Sequence, residues 1–158
     1  MIVGVLADTH IPRRARDLPH LAYQYLAGVD AIIHAGDVVS EGVLDRMREI
    51  APVYAVLGNN DRGMVLPSQV SLCFEGVEIA VIHDSGARVG REARLRRWFP
   101  SARVVVFGHS HTPVNEWEDG LLLFNPGSPT DRRRQPCHTM GRLRLANGQV
   151  EGEILTLD

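Results

Sequence analysis

The sequence predicts an α/β fold in which two mixed β-sheets pack face to face with helices on the outside. Three observations predict it. The first half alternates apolar, strand-like runs with amphipathic helical segments. Those runs are nearly continuous in Val, Ile, Leu and Ala, the composition of strands covered on both faces. The last third carries hairpin signals at Asp119-Gly120 and Asn147-Gly148 and so reads as antiparallel. The strand order stays open.

The elements follow in order. "MIVGVLA" is a short apolar strand. Residues 17–27 place Leu18, Leu21, Ala22, Tyr25 and Leu26 on one helical face, with Asp17 as N-cap. "VDAIIHAGD" is a second strand. "SEGVLDRMREI" repeats the helical spacing through Val43, Leu44, Met47 and Ile50, with Ser40 as N-cap. "PVYAVLGNND" is a third strand, and the β-α-β-α-β order implies parallel pairing with right-handed crossovers. "VEIAVIH" is a strand, "GREARLRRWF" a helix and "ARVVVFGH" a strand again.

Composition sets the class. The 158 residues, 44% hydrophobic and 23% charged, suffice for one domain over residues 1–158 with a full core. No apolar run approaches the roughly 20 residues of a membrane span. The first residues lack the pattern of a signal peptide, so a cytoplasmic protein without membrane contact is expected. Cys73 and Cys137 belong to no CxxC pattern and read as reduced thiols. A net charge of −2 gives no general attraction to nucleic acid. All 17 basic residues are Arg, ten of them in clusters at 13–16, 91–97 and 132–134. The middle cluster reads as a solvated helix face. The other two lie in loops beside the motifs below, and Arg suits phosphate recognition.

Chemistry collects at the strand ends. The first strand runs into Asp8-Thr9-His10 and the second into His34-Ala35-Gly36-Asp37. The third leads to Gly58-Asn59-Asn60-Asp61, the next to His83-Asp84, and the last to Gly108-His109-Ser110-His111. Ligands of open α/β sheets bind at the carboxyl ends of strands. Asp8, His10, Asp37, Asn59, His83, His109 and His111 are oxygen and imidazole donors with no thiolate among them. Seven donors exceed one tetrahedral ion; they suit two ions of the Mn, Fe or Zn type sharing a bridging carboxylate. On an extended backbone, residues i and i+2 point the same way, so D-x-H and H-x-H each offer two donors to one cluster. Gly36, Gly58 and Gly108 let the chain turn sharply beside the ions. His34 and His138 read as structural residues, and His20 as a helix residue.

Taken in order, "D8-x-H10", "G36-D37", "G58-N59", "H83" and "G108-H109-x-H111" resemble the calcineurin-like metallophosphoesterase superfamily. The small size, the "GNND" variant and "NPGS" at 125–128 are most similar to its YfcE-like phosphodiesterase branch. The resemblance covers Met1 to about Leu145. It implies a four-layer αββα sandwich and a two-metal site. By that resemblance Asp8, His10 and His111 hold one ion, Asn59, His83 and His109 the other, and Asp37 bridges them. Manganese is the first expectation, with nickel, zinc or iron as alternatives. The expected reaction is hydrolysis of a small phosphate ester, a diester before a monoester. Hydroxide bridging the ions at Asp37 attacks phosphorus in line.

Two positions depart from the pattern. Many relatives carry a His where this chain has Asn60, which can contact a leaving group but cannot protonate it near neutral pH. Many carry Gly where this chain has Asp84, which can hydrogen-bond a ligand or repel an anionic substrate. Asp61 is expected either to orient a ligand or to cap its loop. Asn125 and Gly127 fit a tight turn. Ser128 and Arg132, like Asn59, are candidates for the substrate phosphate. The alternative reading is a protein-binding scaffold, as in the retromer subunit of this fold, or a phosphomonoesterase. A long nucleic acid is not expected as substrate, since the chain has neither a further binding domain nor positive charge. An apolar edge in the C-terminal hairpins leaves room for a homo-oligomer.

Overall fold

Alternate residues of the first strand serve two different cores. Val3, Val5 and Ala7 face one apolar cluster, while Leu6 faces another, so the strand is covered on both sides. The computed structural model describes residues 1–158. Its strands are β1 (Ile2–Leu6), β2 (Ala31–His34), β3 (Val53–Ala55), β4 (Gln69–Phe74) and β5 (Val77–Ile82). They continue as β6 (Val104–Val106), β7 (Val114–Glu118), β8 (Leu121–Asn125), β9 (Thr139–Ala146) and β10 (Gln149–Thr156). The helices are α1 (His20–Leu26), α2 (Glu41–Arg48) and α3 (Arg91–Trp98).

Two five-stranded sheets form, in the orders β10-β9-β1-β2-β3 and β4-β5-β6-β8-β7. β1, β2 and β3 are parallel to one another, as are β5, β6 and β8. β9, β10, β4 and β7 join antiparallel to their neighbours. Both sheets are therefore mixed, as expected. The largest cluster lies between them; α1 and α2 cover the outer face of the first sheet and α3 that of the second. This is the four-layer sandwich. It sends the carboxyl ends of six parallel strands towards one end of the molecule.

Two strand glycines exist for one ring. A Cβ at Gly141 of β9 would lie 2.4 Å from the Phe124 ring, and one at Gly152 of β10 would lie 2.9 Å from it. Phe124 of β8, fully buried, thus reaches across from the second sheet onto bare backbone of the first.

Several details differ from the sequence expectation. α1 starts at His20 with Pro19 in the capping position, not at Asp17. Leu18 precedes a proline, whose ring disfavours helical backbone in the residue before it. The Asp17 carboxylate instead accepts from the Leu18 N–H at 2.7 Å and the Tyr23 hydroxyl at 2.5 Å. Ser40 does occupy the cap of α2, but its hydroxyl makes no capping bond. β4 was not foreseen. It pairs with β5 through a Glu75-Gly76 turn in which both residues have positive φ, like those at Asp119-Gly120 and Asn147-Gly148.

Replacing Phe124 by Ala leaves a hole that Gly141 and Gly152 have no side chains to fill. The expected loss is at the upper end of the usual ~3–5 kcal/mol, read by urea denaturation against the wild-type protein.

Candidate metal centre

Six loops meet at the carboxyl ends of the parallel strands, and backbone hydrogen bonds hold them there. The Asp8 N–H donates to Gly36 O at 3.0 Å, His10 N–H to Asp37 O at 3.1 Å, and Gly108 N–H to His83 O at 3.0 Å. The Ser128 hydroxyl donates to Asp8 O at 2.8 Å. Asn125 ties the last loop in: its amide donates to Gly108 O and Ser110 Oγ while its Oδ1 accepts from Gly127 N–H. The tight turn expected at Asn125 and Gly127 is present, with Gly127 at φ 75°.

The D-x-H and H-x-H segments are not extended. Asp8, His10, Asp37, His109 and His111 all have positive φ, between 45° and 72°. The two histidines of H-x-H therefore diverge, while Asp8 and His10 stay together. His111 packs beside His10, ring centroids 5.2 Å apart, whereas His109 packs beside His83, also at 5.2 Å.

Two donor groups result. Asp8, His10 and His111 offer ligand atoms within 4.8 Å of one another, and so do Asp8, Asp37 and His83. By this measure Asp8 belongs to both. Asp37 is also central: its Oδ2 lies 3.4 Å from His10 Nε2 and 3.5 Å from His83 Nε2. Asn59 sits beside the second group, its Oδ1 2.9 Å from His83 Nε2 and 3.2 Å from His109 Nδ1.

The residues fit divalent ions on three counts. First, Asp8 Oδ1, His10 Nε2 and His111 Nε2 are buried and have no hydrogen-bond partner. Such atoms cost about 1–3 kcal/mol each unless something satisfies them. Second, His111 Nε2 and His10 Nε2 stand 3.6 and 3.8 Å from Asp8 Oδ1. Donors each about 2.1 Å from one tetrahedral ion are spaced in this way. Third, His83 Nδ1 donates to Ala35 O at 2.8 Å and His111 Nδ1 to Asp131 O at 2.5 Å, leaving both Nε2 atoms aimed inwards. Backbone carbonyls commonly fix metal-binding imidazoles in this manner.

The other candidate residues have defined places. Asp61 is buried and accepts from three backbone N–H groups: Gly58 and Asp37 through Oδ2, Val39 through Oδ1. These bonds fix its own loop and also reach the backbone of the candidate ligand Asp37. Asn60 faces Asp37, with its backbone N–H on Oδ1 at 2.8 Å and its amide on Oδ2 at 2.7 Å. Asp84 is exposed, with Oδ2 3.9 Å from His109 Nε2. Ser128 is 1% exposed and its hydroxyl proton goes to the Asp8 carbonyl. Arg132 is exposed and donates to Gln135 O within its own loop. His34 is fully buried, accepting from Gly36 N–H and bonded to the Thr9 hydroxyl, so it braces two loops. His138 pairs with Asp158 at 2.9 Å.

Sequence reasoning missed Asp131, which steadies His111 and pairs with Arg14 at 3.4 Å. It acts through its carbonyl, which leaves no residue-type signal.

This geometry can be set beside known proteins. Residues 1–148 match the model of the calcineurin-like phosphoesterase superfamily domain. The chain belongs to that superfamily. A probable metallophosphoesterase of Methanocaldococcus jannaschii is 38% identical over all of this chain and 82% of its own length. A phosphodiesterase of the same organism is 25% identical over 80% of this chain and 83% of its own. Vacuolar Protein Sorting 29 from Cryptosporidium parvum superposes with a TM-score of 0.82 over 98% of this chain and 96% of its own. At 20% identity, that similarity concerns the fold. As a calcineurin-like phosphoesterase, the chain is a phosphoric ester hydrolase by family, with Asp and His groups suited to divalent metal.

The charges in this phosphoesterase site suit divalent cations. Burial pushes the Asp8 carboxyl up to about 7; the His83 charge opposes this and Asp37 adds to it. Burial also opposes ionisation of Asp37. Hydrogen bonds from His83 and Asn60 overcome it and hold Asp37 below the usual range. Burial keeps His10 and His111 below their ordinary value, in the neutral form that binds metal. Burial likewise lowers His34 to about 3.

Asp8 gives a pH prediction with a fixed sign. Its folded pKa lies above the unfolded value of 3.8. In the metal-free protein its contribution is most favourable below 3.8 and is lost as the pH rises through 7. A divalent ion compensates the ionised form and must displace a proton below pH 7. Apparent manganese affinity, followed by thermal shift, should fall about 15-fold between pH 7 and 5.5 through Asp8 alone. Separately, Asp61→Ala strands three backbone N–H groups. It should cost about 3 kcal/mol or more in chelator, measured by urea denaturation.

Proposed function

We propose that this phosphoesterase is a phosphodiesterase working with two divalent ions, manganese first among them. The observation that carries the reading is the set of three unpartnered atoms on Asp8, His10 and His111 beside a second group on Asp37 and His83. When bound, two such ions activate a water for in-line attack at phosphorus and offset the charge of the phosphoryl oxygens. Asp8, His10 and His111 hold one ion; Asn59, His83 and His109 hold the other; Asp37 lies between. The donors are oxygen and nitrogen without thiolate, which suits manganese, with nickel, zinc or iron as alternatives.

The chain's own groups do the rest. His83 Nδ1 and His111 Nδ1 are held by Ala35 O and Asp131 O, which turns both Nε2 atoms towards the donor groups. Asn60 donates at the Asp37 edge and, unlike an imidazolium, brings no proton. The departing alkoxide is then a good leaving group or takes its proton from water. Asp84 stands exposed at the mouth, next to His109. Its charge repels a dianionic monoester more than a monoanionic diester, and this favours the diester. The proposed substrate is a small phosphate ester and not a long nucleic acid.

The test is turnover of bis(p-nitrophenyl) phosphate and p-nitrophenyl phosphate after metal removal and reloading with Mn, Ni, Zn or Mg. Diester hydrolysis restored by metal and lost in Asp37→Ala is the expected result. A monoester preference makes the protein a phosphatase. Metal binding with no turnover of either ester points to the scaffold reading. Asp84→Asn should raise kcat/KM for the monoester about three- to fivefold relative to the diester.

A further inference from the structure

Only four buried side-chain nitrogen and oxygen atoms in the molecule lack a hydrogen-bond partner, and three belong to the metal centre. The fourth is Arg91 Nε. Its guanidinium lies over the Phe107 ring, 4.8 Å from the centroid, at the start of α3. Arg91 lines a cavity of about 540 Å³ on the outer face of the second sheet. Ser110 and Thr112 form one wall of the same cavity. These two residues flank His111, and Ser110 also follows His109, so the cavity adjoins the metal centre.

Four charged side chains line the cavity: Arg88, Arg91, Glu116 and Glu118. Glu116 and Glu118 face it because they pair with Leu123 and Leu121, whose side chains point to the outer face. None of the four makes a side-chain hydrogen bond or an ion pair. Arg91 is instead held in place, and so is the backbone beside the exposed Arg88. Arg94 donates to the carbonyls of Ser85 and Ala87, fixing the loop that carries Arg88. The Phe107 ring supports Arg91 through its face. A rigid guanidinium without an acceptor is prepared to bind an oxyanion at little ordering cost.

We infer that the cavity lined by Arg88 and Arg91 is a subsite for one arm of a phosphodiester, an arm that carries a second oxyanion such as a carboxylate or phosphate. The inference rests on the diesterase reading for the bond that is cut, and it names the class of diester. Two arginines against two glutamates leave the cavity with no net charge. A single oxyanion finds its arginines there, with hydroxyl or amino groups of the same arm on the glutamates. A polyanionic strand gains nothing overall.

The test compares two isosteric diesters without activated leaving groups, 4-carboxyphenyl phenyl phosphate and 4-carbamoylphenyl phenyl phosphate. Their affinities for the manganese-loaded protein are read by calorimetry. The carboxylate compound should bind about tenfold tighter, as a charge-assisted hydrogen bond implies. That gap should close in Arg91→Met and shrink in Arg88→Ala. Arg88 is exposed, so the second variant keeps the test alive if the first fails to fold. No gap in the wild-type protein, or an undiminished gap in every folded variant, overturns the inference. Wild-type turnover of bis(p-nitrophenyl) phosphate is measured alongside. A gap without turnover keeps the subsite and defeats the diesterase reading. Turnover without a gap does the reverse.

Discussion

Asp8 and Asp37 are buried together, their oxygens within 4.8 Å, and no arginine pairs with either. Most of the site's architecture follows from accommodating those two carboxylates. Asp8 Oδ2 accepts the His109 N–H, and the Asp8 carbonyl accepts the Ser128 hydroxyl. A Cβ at Gly108 would lie 2.9 Å from Asp8 Oδ2, and one at Gly58 only 2.2 Å from Asp37 Oδ1. The glycines beside the motif residues are therefore set by the carboxylates, which need backbone close enough to donate to them. Such donors stabilise the ionised form but cannot neutralise two charges at once. That leaves the carboxylates as a demand for cations built into the fold.

The same demand accounts for the unusual backbone. Five of the seven candidate ligands have left-handed φ, as does Val39, whose β-branched side chain makes φ 79° costly. Loops left to themselves do not adopt such conformations. Asp61 holds them by accepting from Asp37, Val39 and Gly58 together, and His34 holds the neighbouring turn through Gly36 and Thr9. Both are buried polar residues with satisfied partners and no direct place in the chemistry. They carry the strain that lets the ligands diverge.

The fold was legible where local chemistry and periodicity agree. The parallel strands, the three helices and the turns at Asp119-Gly120 and Asn147-Gly148 carry signals within a few residues. β4 did not, because Glu75-Gly76 lacks the Asn or Asp that favours positive φ at its first position, yet the pairing with β5 imposes it. Asp17 looked like a cap, but Pro19 moved the helix start past it. The candidate donors were legible because their residue types are chemically costly at strand ends. How they divide came from the family resemblance and not from backbone geometry, since the extended-backbone argument sends His109 and His111 to the same side. Left-handed φ sends them apart, and nothing within the tripeptide reveals this. Asp131 and Ala35 were invisible for a related reason, as each acts through a carbonyl that every residue has.

The likeness to Vacuolar Protein Sorting 29 shows that this sandwich exists in proteins with little sequence in common, so the layers alone cannot decide the activity. The unsatisfied groups bear on metal binding instead. Left-handed ligand loops, and Asp8, His10 and His111 atoms shut away from water without partners, are what a cation would satisfy. Each weakens the metal-free fold, and apolar replacements would remove the penalty. Their cost is recovered when a cation fills the space between them. Arg91 follows the same logic one loop away, where the unpartnered group is a cation rather than a carboxylate. Opposite demands on adjoining walls match a molecule whose phosphate meets the metals while its second oxyanion reaches the arginines.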